Sequence, residues 1–184
     1  ETYSYKYEIP SDHMGGIHWY HPHFHGSLSS QLGGGAAGLI IVKDEPEINN
    51  LPNCLSDIPQ RLLQLHPIDP NTLNNIALET SDPNLGFDSF QPDSCPKANG
   101  QESDKFVLVN GQQEPYIEMT ANVWQRWRVV NSGIDNYLRF KPDSDTCQMR
   151  LLAKDGVYIR DIYRPVEYIV LPPGGRSDFL IRCT

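Results

Sequence analysis

The chain has 184 residues and a formal charge of −8, from 15 Lys and Arg against 23 Asp and Glu; that length suits one domain, or one domain with part of another. Its 15 prolines and 14 glycines favour a turn-rich β protein over a helical bundle. An acidic chain without a Lys/Arg cluster argues against nucleic-acid binding, and no apolar run nears the roughly 18 residues of a membrane span.

Residues 3–9 alternate strictly, with Tyr3, Tyr5, Tyr7 and Ile9 on one face and Ser4, Lys6 and Glu8 on the other. The alternation predicts a half-buried strand. Residues 17–25 read as a second extended run, placed at an edge because Pro22 cannot donate to a ladder. Gly33-Gly34-Gly35 breaks the chain, and residues 36–42 read as a third strand, closed by Lys43-Asp44-Glu45-Pro46. Three strands cannot close a sandwich, and segments this short rarely fold alone. Residues 1–43 are therefore expected to be the tail of a domain whose earlier strands lie outside this chain. A start at Glu1 fits a processed or excised sequence.

Residues 44–60 read as a linker. Residues 61–66 predict a strand, and residues 67–105 a long irregular loop with a short helix over 71–79. Residues 106–109 read as a strand ending at Asn110-Gly111, a tight-turn pair. Residues 123–130 alternate, placing Val123, Gln125, Trp127 and Val129 on one side. Further strands are expected at 149–153, 157–159, 167–171 and 177–182, separated by Asp155-Gly156 and Pro172-Pro173-Gly174-Gly175. Strands at such spacing predict a complete β-sandwich over residues 61–184.

The cysteines, Cys54, Cys95, Cys147 and Cys183, contain no CxxC pair, which disfavours zinc-ribbon and thioredoxin-type sites. Their even number fits two disulfides in an oxidising compartment, with three connectivities open, or four buried thiols.

Five of the six histidines lie between positions 13 and 25, most densely in Trp19-Tyr20-His21-Pro22-His23-Phe24-His25-Gly26. On an extended backbone His21, His23 and His25 share one face with Trp19, opposite His18 and Tyr20. Neutral imidazoles so placed are suited to a metal, and zinc, copper, iron and nickel all accept them. A cupin-type pair would need a glutamate a few residues on, and residues 26–31 hold none. His13 and His66 read as ordinary surface or loop histidines.

The run from Trp19 to Gly26, with Gln31 and the segment Gly33-Gly34-Gly35-Ala36-Ala37-Gly38-Leu39-Ile40-Ile41-Val42, resembles a copper-binding motif of the multicopper oxidases. It is most similar to their cuproxidase-like or bacterial laccase-like branch. Val109-Asn110-Gly111, Gln125-Arg126-Trp127-Arg128-Val129-Val130-Asn131 and Leu171-Pro172-Pro173-Gly174-Gly175-Arg176-Ser177-Asp178 resemble landmarks of that family's second domain. The resemblance implies an all-β, cupredoxin-like Greek-key sandwich, preceded by the C-terminal strands of another. It implies His21 and His23 as ligands of a type 3 copper pair, with His25 and Trp19 in supporting positions around them. It further implies dioxygen reduction to water, coupled to oxidation of a phenol or metal ion; the cysteine count separately suits a secreted or periplasmic protein.

The same family draws its copper histidines from four motifs, and this chain carries one. It has no His-Trp-His, no His-Cys-His, and no histidine after His66. The chain by itself is therefore expected to be inactive, needing missing N- and C-terminal cupredoxin domains or another copy of itself. Two other readings compete: a non-catalytic cupredoxin-like metal-binding or assembly module, and a zinc hydrolase, for which no acid/base partner stands near the histidines.

Overall fold

The computed structural model describes residues 2–45, 48, 51–69 and 106–184. The chain enters as an extended segment and pairs first at β1 (Gly16–Tyr20) and β2 (Gly38–Val42), an antiparallel hairpin in register from Gly16↔Val42 to Tyr20↔Gly38. Between them lies a short helix, α1 (Leu28–Gly33), which buries Leu32 and Gly33. The sequence reading did not anticipate this helix.

A 3-10 turn at Asn53–Leu55 buries Leu55 within the stretch read as linker. There follow β3 (Gln60–Ile68), β4 (Phe106–Val109), β5 (Gln112–Gln113), β6 (Gln125–Asn131), β7 (Leu138–Phe140), β8 (Cys147–Lys154), β9 (Val157–Tyr158), β10 (Arg164–Val166), β11 (Ile169–Leu171) and β12 (Arg176–Cys183). One sheet runs β10-β8-β12-β6-β3-β4-β5, with β9 paired to β8, and a small sheet pairs β11 with β7. β3 lies parallel to β6 while the other ladders are antiparallel. A parallel neighbour requires a crossover rather than a hairpin, so the chain forms a sandwich and not a simple meander.

The core follows from alternation. Trp127 and Val129 from β6, Phe179 and Ile181 from β12, Met149 from β8, and Leu63 and Leu65 from β3 pack with Ile169 and Leu171 of the small sheet. Trp127 and Phe179 sit with Phe140 at ring separations of 5.5–6.2 Å. Gln125, on the same side, accepts the Trp127 indole N–H at 3.0 Å, so that buried donor is satisfied. Asn110 and Gly111 both take positive φ, 51° and 79°, and turn β4 into β5 as their dipeptide predicts.

Three expectations need correction. Residues 3–9 form no strand, and Tyr3, Tyr5, Tyr7 and Ile9 are exposed. Alternation marks two faces but supplies neither a ladder partner nor a cover, and no described strand pairs with this segment. The second run stops at Tyr20 rather than 25, because Pro22 has no N–H to give the ladder. Among the cysteines, Cys147 and Cys183 form a disulfide directly across β8 and β12, so the reading of four thiols fails; Cys54 is a free, exposed thiol. Cys95 and the helix expected over 71–79 lie outside the described residues.

Candidate metal centre

His21, His23 and His25 follow immediately on β1, and their rings form a row that begins at Trp19. Trp19 stacks on His21 with centroids 4.4 Å apart and planes 25° from parallel. His21 to His23 is 5.8 Å, and His23 to His25 is 6.2 Å. The row expected of a strand thus survives although the ladder has ended. Among the described residues no group of three His, Cys, Asp or Glu side chains is gathered around a single point. A site in which all three imidazoles share one ion is therefore not assembled here.

The chemistry of His21 is partly fixed. Its Nδ1 lies 2.8 Å from the Pro22 carbonyl, and a carbonyl can only accept, so Nδ1 carries the hydrogen. The lone pair is then on Nε2, which leaves that nitrogen open to a metal. His23 and His25 are exposed, whereas His21 and Trp19 are half-buried. Imidazoles presented at a surface fit copper or zinc, and they make an incomplete coordination shell that other groups would have to close.

His18 points elsewhere. Its ring meets His13 edge-on at 5.5 Å, its Nε2 is buried without a hydrogen bond, and its pKa is lowered by burial and then by Arg176, His13 and Arg128. It is a half-buried histidine packed against the Asp155-Gly156 turn.

The structure shows buried polar residues near the hairpin that composition concealed. His66, read as a surface or loop residue, is buried; its Nε2 faces the Gly33 carbonyl at 3.1 Å, and its Nδ1 lies 3.2 Å from both Ser132 O and Ser132 Oγ. The signal that could have found it is its place beside the apolar Leu63/Leu65 alternation, on the opposite face together with Gln64. Arg126 and Arg128, which alternate with core residues, are buried at 1% and 2% exposure. Asp178 accepts from Arg126 Nε at 2.9 Å, Arg126 Nη2 at 2.6 Å and Arg128 Nε at 2.9 Å. Asp44, just past β2, accepts from Arg126 Nη1 at 2.7 Å and also from the Tyr158 hydroxyl. Burial alone would lower the Arg126 pKa, but Asp178, with Tyr158 and Asp44, outweighs burial and raises it. Burial, foremost, raises the Tyr158 pKa as well.

A cleft of about 400 Å³ between the end of β2 and the sheet is lined by Lys43, Asp44, Leu55, Arg126 and Arg128 among others. A larger one, about 700 Å³, lies against β8 and β10 beside Lys141, Arg150 and Glu167. No histidine lines either of these two clefts.

Known proteins match both segments. Residues 1–47 match the multicopper oxidase family model. The cell division protein FtsP of Sodalis glossinidius is 27% identical over 175 residues, which is 94% of this chain and 33% of that protein. The multicopper oxidase from Campylobacter jejuni, described as a metallo-oxidase, superposes with a TM-score of 0.65 at 27% identity, over 97% of this chain and 32% of its own. A bacterial laccase-like multicopper oxidase, CueO from Ochrobactrum sp., gives a TM-score of 0.62 at 26% identity, over 91% and 34%. The chain thus spans about a third of the length of these relatives, and its all-β fold is that of their cupredoxin-like sandwiches.

Proposed function

We propose that this chain, of the multicopper oxidase family, supplies His21 and His23 as type 3 copper ligands in a longer oxidase that reduces dioxygen. The observation that carries the reading is the Nδ1–H of His21 held on the Pro22 carbonyl at 2.8 Å, which leaves Nε2 free beside the exposed His23 ring. Copper, when bound, would supply the one-electron steps that link substrate oxidation to dioxygen reduction. The chain's own residues orient the ligands: Trp19 fixes the plane of His21 by stacking, and His25 stands next in the row, where it can hold a solvent molecule or a neighbouring ligand. The remaining ligands, and a phenol or metal-ion substrate, belong to parts of the protein beyond this chain, and secretion or a periplasmic location suits the disulfide. Residues 1–43 read as the end of one cupredoxin-like domain and residues 61–184 as the next.

The test is substitution in the full-length copper-loaded protein. His21→Ala or His23→Ala should remove the type 3 absorption and abolish turnover, whereas His25→Ala should cost about 10–100-fold, the scale of a lost supporting contact. Full absorption and oxygen reduction in either ligand variant overturns the assignment.

A second reading is favoured by one observation: the curated relatives are named for cell division and not for an oxidase. On that reading the sandwich is a non-catalytic assembly module. A full-length protein that neither retains copper through dialysis nor consumes oxygen would establish it over the first.

A further inference from the structure

Resting on the reading of His21 and His23 as ligands, we propose that His66 and Gly174, both in the sandwich, are positioning residues that suspend the histidine loop from its two ends. Residues 21–27 pair with no strand, so their placement must come from what holds Trp19 before them and α1 after them. Both holds come from the sandwich.

At the first end the support is the turn between β11 and β12. A Cβ on Gly174 would lie 3.0 Å from Trp19 Cζ2, so the turn backbone runs directly against the indole whose ring stacks on His21. The same residue has φ +72°, a conformation that favours glycine. The turn is fixed in its turn: Gly174 N–H donates to Asn131 O at 2.8 Å, Asn131 N–H donates to Gly175 O at 3.0 Å, and Asn131 Nδ2 donates to Leu171 O at 2.9 Å. Asn131 is fully buried. The end of β6 therefore sets the turn, the turn sets Trp19, and Trp19 sets the His21 plane.

At the second end the support is β3. The Gly33 carbonyl can only accept, so His66 carries its hydrogen on Nε2 and donates across 3.1 Å. Nδ1 lies 3.2 Å from both the Ser132 carbonyl and its Oγ, and that hydroxyl donates to Leu65 O at 3.2 Å. Gln64, two residues earlier on the same face, reaches Ala37 O at 3.4 Å and Ser132 Oγ at 3.1 Å. Gly33 ends α1 and Ala37 precedes β2, so β3 grips both ends of the glycine-rich run behind the histidines. Ligands held to within about 0.5 Å need supporting groups that are themselves locked, and both anchors meet that condition.

The experiment compares His66→Leu, His66→Gln, Gly174→Ala and, as a control, His21→Ala in the full-length protein. It reads type 3 absorption, bound copper, kcat and KM separately, and amide exchange over residues 21–33 in the copper-free form. His66→Leu and Gly174→Ala should each weaken the absorption, speed exchange in that segment, and lower kcat by about 10–100-fold with KM unchanged. His66→Gln, whose amide can donate to Gly33 O, should recover most of the loss. A lower melting temperature with absorption, kcat and loop exchange unaltered in Gly174→Ala and His66→Gln, and in His66→Leu if it folds, overturns the proposal. If His21→Ala itself keeps the absorption, the ligand reading fails instead.

Discussion

Asp178 is the pivot of the charge buried on one face of the sheet. It is 1% exposed and receives both Arg126 and Arg128, so each ion depends on the others for the solvation that water would have given. Removing one member leaves an uncompensated buried charge, which costs about 3–5 kcal/mol. Asp178→Ala should therefore lower unfolding free energy by that amount, measured by urea denaturation. His18 gives a pH dependence whose sign is fixed. Its pKa is lowered in the folded state from 6.5, first by burial and then by Arg176, His13 and Arg128, so the unfolded chain binds the proton first on acidification. Stability is then complete above pH 6.5 and is lost as pH falls through the folded value. A His18→Gln variant should flatten the acid limb of melting temperature against pH, and an unchanged limb would show that another group carries it.

At the scale of elements, alternation and covering have separate causes. β6 reads correctly because Trp127 and Val129 meet a second sheet, while the burial of Arg126 and Arg128 on its other face comes from partners distant in sequence, Asp44 and Asp178. Residues 3–9 show the converse, with two clear faces and no described strand to pair with. The β8–β12 ladder is closed by the Cys147–Cys183 bridge, whose cysteines are 36 residues apart in sequence. A loop of that size restricts the unfolded chain and is worth about 2–4 kcal/mol. The double variant Cys147→Ser/Cys183→Ser should lose that much in chemical denaturation with the sheet retained by circular dichroism.

For the whole molecule, the hairpin and the sandwich are joined through side chains from both. Asp44 reaches Arg126 and Tyr158, Gln64 and His66 reach the glycine run, and Gly174 lies under Trp19. The joining groups are polar or small, so hydropathy patterns pass over them. Leu55, in the segment read as a linker, packs with Leu152 and Leu180, which makes that segment part of the same packing. The histidine row is thereby carried on a platform to which both segments contribute.

The histidine spacing, the glycine-rich break and the alternating strands were legible in the residues themselves, because each depends on local backbone geometry: period two in a strand, positive φ in a turn, a proline that cannot donate. The roles of His66, Arg126, Arg128 and Gly174 were decided only by tertiary structure. Each depends on what stands opposite: a carbonyl 33 residues away for His66, carboxylates within β12 and just past β2 for the arginines, an indole from the β1–β2 hairpin for the glycine. A sequence shows which groups can donate, accept or yield space. Folding alone determines which partner closes each one off from water, and that partner decides whether a histidine is a surface residue or an anchor.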